Sequence, residues 1–137
     1  GRVERPGRKV GNMTVTSLEL AKAAATAADD KKATDIVLLD LTHATDVCDY
    51  FLICTVQNNP QLDAVTEEVK RRLAAECGEK PVSTEGRGGS SWVLMDYGAL
   101  VVHVFKPEAR DYYRLEHLWG DAPRVELGLE GEAPANA

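Results

Sequence analysis

Apolar positions recur along this chain with two different periods, and the places where the period changes mark its elements. Leu18, Ala21 and Ala25 fall on one helical face, smooth enough for close packing, and "TSLE" ahead of them offers Thr16 and Glu19 as a capping box. The run "DIVLLDL", Asp35 to Leu41, and the run "YFLICTV", Tyr50 to Val56, are short, nearly continuous and apolar, which predicts two buried strands. Between Asn58 and Cys77 the period becomes helical: Leu62, Val65, Val69 and Leu73 recur at spacings of 3, 4 and 4. Asn59 is the expected cap there, with Pro60 pre-organised for the first turn. Glu67 with Arg71 and Glu68 with Arg72 are spaced for i,i+4 pairs on the wet side.

A short extended piece, Pro81 to Glu85, leads through "GRGGS" into "SWVLMDYGALVVHVF", Ser91 to Phe105. Two alternating runs there meet at a Tyr-Gly turn, which predicts an antiparallel hairpin. The segment "PEARDYYRLEHLW" then reads as a helix from Pro107, with Tyr112, Leu115 and Trp119 on one side. The order is helix, two strands, helix, three strands, helix. It predicts an α/β domain with a mixed sheet of about five strands flanked by helices. Residues 14–121 form that single domain. Residues 1–13, with five charges, three glycines and a proline, read as a disordered tail, and residues 122–137 as an acidic, Gly/Pro/Ala-rich one.

Charge narrows the classes of partner. Sixteen Lys and Arg stand against 22 Asp and Glu, a net charge of -6, which disfavours broad contact with nucleic acid. Direct RNA contact is therefore expected to be minor, and docking onto a basic protein is compatible. No stretch approaches the length of a membrane span, so no membrane partner is expected. Cys48, Cys54 and Cys77 are odd in number and lack C-x-x-C spacing, which points to a reducing compartment rather than to disulfides or structural zinc.

Catalytic patterns are missing. The turn after "FLICT" has no glycine, no Walker A loop occurs, and Gly86 to Gly89 lead into a strand rather than a helix. His43, Asp46 and Asp49 could seed a metal site but equally make a polar turn. Asp35 and Asp40 are five apart, which sends them to opposite faces of a regular strand instead of side by side for two metals. Cys54 and His103 sit in apolar strands, better suited to packing than to a nucleophilic dyad. No cofactor is expected. A metal-dependent enzyme built on the His43, Asp46 and Asp49 cluster is the competing class.

What remains is the hairpin. Val93, Met95 and Tyr97 share one face of its first strand, and Trp92, Leu94 and Asp96 the other. Leu100, Val102 and Val104 alternate with Val101, His103 and Phe105 in the second. Both faces are apolar, so both need cover, from the chain's own helices or from a partner. Trp, Tyr and Met are residues expected at the dry centre of a protein interface.

Two blocks carry a resemblance. "DKKATDIVLLDLTHATDVCDYFLICT", from Asp30, and "EGRGGSSWVLMDYGALVVHVFKPEARDYYRLEHLW", from Glu85, resemble the ribosomal silencing factor family, RsfS or Iojap-like, over about Leu18 to Val125. The resemblance implies a fold similar to the nucleotidyltransferases, without their catalytic carboxylates and without enzyme activity. It implies binding to the large ribosomal subunit through a ribosomal protein at the joining surface, which blocks the small subunit and represses translation. Assembly of the large subunit through the same surface is the role of organelle relatives, and family members often form homodimers. A cytoplasmic protein of bacterial type is expected, or an organelle protein if a targeting segment has been removed. The family's partner-contacting positions fall on Trp92 and Tyr97, with Met95 beside them, and a twist or bulge near Asp96 is needed to bring these onto one patch. His103 and, on the last helix, Arg110, Tyr113 and Glu116 are expected to support the interface or its packing. The chain departs from the family at "TVQNNPQL", where a glycine and an arginine of the usual turn are missing.

Overall fold

A computed structural model describes residues 8–10, 13–86, 91–113 and 121–134. Strands β1 (Arg8–Val10) and β2 (Met13–Val15) pair antiparallel, so part of the segment read as a tail is a hairpin. Helix α1 (Ser17–Asp30) starts at the expected capping box: Glu19 N–H donates to Thr16 Oγ1 at 3.1 Å, and Thr16 N–H to Glu19 Oε1 at 3.2 Å. Its buried face is Leu20 and five alanines, which carry no bulk and let the helix approach the sheet closely.

Strands β3 (Thr34–Asp40) and β4 (Tyr50–Thr55) follow, then α2 (Asn59–Cys77). The cap of α2 is Asn58, one residue before the expected Asn59: Asn58 is extended and its Oδ1 accepts Gln61 N–H at 2.8 Å. Asn59 Oδ1 instead accepts Lys106 Nζ, at 2.8 Å. Glu68 takes both Arg71 and Arg72, at 2.6 and 2.8 Å, and Arg72 also reaches Asp30 of α1 at 2.6 Å. The two helices are thus tied by the Arg72–Asp30 pair, with Glu68 buried beside it rather than on the expected wet side. Strands β5 (Ser83–Glu85), β6 (Trp92–Asp96) and β7 (Leu100–Phe105) and helix α3 (Pro107–Tyr113) complete the elements.

The main sheet runs β3-β4-β7-β6-β5, with β4 and β7 parallel and the other pairs antiparallel. This is the expected mixed five-stranded α/β arrangement. α1 and α2 cover one face, burying Ile36, Leu38, Leu52, Cys54, Val93, Met95, Tyr97, Val102 and Val104 beneath them. The second face carries Val37, Leu39, Ile53, Val101 and Phe105, with Ala109 of α3 against them.

Residues 122–134, expected to be a tail, instead lie along the outer edge of β3. Val125 N–H donates to Leu38 O and Ala133 N–H to Ile36 O, while Ile36 and Asp40 donate to Gly131 O and Pro123 O. Val125, Leu127 and Leu129 pack against the helix-side core. The physical reason is an alternation, "VELGLE", that Gly and acidic residues dilute: every second side chain is apolar and turns inward. A backbone edge that would otherwise lack partners is closed this way.

Candidate functional site

The site is built on the second face of the sheet, where β4, β7 and β6 lie side by side. Register places Trp92 opposite Phe105 and Leu94 opposite His103, with Ile53 beside His103 on the other flank. Trp92, Leu94 and Phe51 are half-buried there, whereas Phe105 and His103 are buried. The rings of Trp92, His103 and Phe105 are nearly parallel, at 6° to 18°, with centroids 5.4 to 5.9 Å apart. Phe51 meets His103 at 4.7 Å and 57°. Such aromatic contacts add packing energy beyond area alone. The result is a firm apolar row with its outer members open to solvent.

Two glycines set the ends of β6. At its start Gly86 has φ +86, and a Cβ there would stand 1.9 Å from the Trp92 carbonyl oxygen. Only glycine lets this backbone pass the one that carries Trp92. At its end Gly98, at φ +85, makes the turn, with Asp96 Oδ1 accepting Gly98 N–H at 2.7 Å.

The expected site residues divide. Met95 and Tyr97 are buried on the helix side, at 0% and 1% exposure, and so face away from Trp92. Pairing of β6 with β7 is regular from Trp92 to Asp96, so the bulge needed to unite Trp92 and Tyr97 does not occur. The expected single patch is corrected accordingly: Tyr97 and Met95 are core, and Phe51 and Leu94 take their place beside Trp92. Burial raises the Tyr97 phenol above its usual range. His103 lies on the site's side but beneath its surface, and burial pushes it down to about 4, so the ring is neutral. Arg110 ties α3 to the sheet, donating from Nη1 to Thr55 Oγ1 at 2.8 Å and to Asp35 O at 2.6 Å. Tyr113 closes α3. Its side chain, like Glu116 and Trp119, lies outside the described residues. Phe51 and Leu94 were missed because each belongs to a run apolar on both faces; only the alternation from Trp92 and His103 across strands could have found them.

The sites of the competing chemistry are not assembled. His43 and Asp46 are exposed, while Asp49 is buried and accepts Ser17 Oγ at 2.9 Å. Among the described residues no group of three or more His, Cys, Asp or Glu could hold a metal ion. Asp35 is exposed, with φ +49 at a bulge in β3, and Asp40 Oδ1 accepts Thr42 N–H at 2.9 Å. Cys54 lies on the helix side and His103 on the other, so the sheet separates them. Burial, only partly offset by Arg110, pushes the Cys54 thiol up to about 12.

The architecture has a close solved counterpart. A crystal structure of a protein from Chromobacterium violaceum superposes with a TM-score of 0.74 at 34% identity, over 85% of this chain and 96% of that one. The class is thus a small α/β domain with a mixed five-stranded sheet. The model of the family "Ribosomal silencing factor during starvation", RsfS, matches residues 14–137. Ribosomal silencing factor RsfS of Bacillus subtilis is 46% identical over 108 residues, 79% of this chain and 91% of that protein. A mouse protein named "Mitochondrial assembly of ribosomal large subunit protein 1" is 32% identical over 91 residues, 65% of this chain and 40% of its own length. The chain belongs to the RsfS family.

Proposed function

We propose that this protein is a ribosomal silencing factor that binds the large ribosomal subunit through a ribosomal protein at the joining surface, and thereby blocks the small subunit. The observation that carries the reading is the row of Trp92, Leu94 and Phe51, half-buried on a rigid sheet and backed by stacked rings. A pre-formed apolar surface loses little conformational freedom on binding, which favours a docking role. Family membership supplies the kind of partner. The net charge of -6 suits a basic one.

The test is co-sedimentation with separated subunits. The protein is expected to travel with large subunits and not with small ones, and to lower the yield of joined ribosomes when added before joining. Trp92→Ala is expected to weaken binding by about 2 kcal/mol or more. Equal binding to both subunits, or none, overturns the reading. The mouse relative's name favours a second reading, assembly of the large subunit through the same surface. Tight, Trp92-dependent binding with joining unimpaired would select it.

A further inference from the structure

Trp92 is held by a hydrogen bond as well as by packing. Its Nε1–H donates to His103 Nδ1 at 3.2 Å, across the strand pair and one diagonal step along it. An accepting Nδ1 carries a lone pair, so the hydrogen of the neutral imidazole sits on Nε2. That Nε2 is buried and has no hydrogen-bond partner among the described residues. A buried, unpartnered N–H is unfavourable, and a phenylalanine in this apolar setting would not carry it. Stability alone does not explain a histidine here. What the imidazole supplies and a phenyl ring cannot is an acceptor for the indole.

The surroundings give that acceptor a fixed direction. The imidazole stands 6° from parallel to Phe105 and is abutted by Phe51 at 4.7 Å. Its strand neighbours are Leu94 and Ile53. A half-buried tryptophan at the first position of a strand has packing on only part of its surface, so its ring could turn without a tether. The bond to Nδ1 removes that freedom and turns the N–H edge inward.

We infer that His103 is a positioning residue of the docking face: without meeting the partner, it locks the Trp92 indole so that an apolar edge, and no donor, is presented outward. This rests on the docking function proposed above and adds the chemistry of the contact. The partner must offer Trp92 an apolar patch, because the single donor of the indole is already engaged.

The experiment compares wild type, His103→Phe and His103→Gln by thermal unfolding, by the Trp92 indole N–H resonance, and by affinity for large subunits. The resonance is assigned by its loss in Trp92→Phe. His103→Phe is expected to unfold no earlier than wild type, to shift the indole resonance, and to bind about ten-fold more weakly. His103→Gln keeps an acceptor and is expected to recover part of both signals. Wild-type binding by His103→Phe overturns the inference, and so does a loss of affinity that merely follows a loss of stability. If wild type itself fails to bind, the docking function falls; the positioning claim is then decided by the resonance, and an unshifted one overturns it.

Discussion

Trp92 and Tyr97 belong to one strand and its turn, yet they face opposite sides of the sheet and should fail in opposite ways. Tyr97 is one of the largest fully buried side chains. Tyr97→Ala is expected to lower stability by roughly 3–5 kcal/mol, with the affinity of the folded fraction for large subunits unchanged. Trp92→Ala should show the reverse, as denaturant titration beside a binding assay will reveal. His103 gives a second expectation, in pH. Its ring titrates near 6.5 when unfolded and near 4 when folded. Between those values the unfolded chain holds a proton that the folded chain lacks, so stability is complete above about 6.5 and declines as pH falls toward 4. The decline should reach roughly 3 kcal/mol, read as a shift in denaturation midpoint, and His103→Phe should abolish it. Glu68 acts in a lower window. Hydrogen bonds from Arg71, and then Arg72, hold it down to about 2, so its contribution is present above 4.5 and lost only as pH falls toward 2.

Elements were legible where local patterns agreed with one another. The capping box of α1 and the apolar stripe of α2 needed nothing beyond their own turns. The cap of α2 lies one residue from the expected one: Asn58 keeps an extended backbone and caps through Oδ1, while Asn59 is already helical and its side chain accepts Lys106 Nζ. The faces of β6 and β7 follow from alternation, whereas a bulge near Asp96 has no local signal and the regular register keeps Trp92 and Tyr97 apart. The β5–β6 connection offers a test at this scale. Gly86→Ala must both occupy φ +86 and relieve a 1.9 Å approach to the Trp92 carbonyl. Strain of this kind costs of order 1–3 kcal/mol, so Gly86→Ala should unfold earlier. Because the backbone that yields is that of Trp92, the folded fraction should also bind large subunits less well.

In the whole molecule the outer edge of β3 is closed by residues 123–133, a contact hidden in the sequence because a composition rich in glycine and acid masked the alternation of Val125, Leu127 and Leu129. Replacing Val125 and Ala133 by proline removes the N–H groups that bond Leu38 and Ile36. Each lost bond should cost about 1 kcal/mol, and the bared edge should make the protein self-associate, visible as concentration-dependent light scattering. The proposed docking face is legible as a question of cover, yet its membership depends on which strands become neighbours, and β4 lies beside β7 only through a crossover. The strap also has a consequence for the birth of the protein. The Ile36–Glu132 bridge joins residues far apart in sequence, and a loop of that length is slow to close. During synthesis β3 leaves the ribosome long before the segment that seals it, so its outer edge stays open while the residues between them are translated. Slower elongation lengthens that interval in direct proportion.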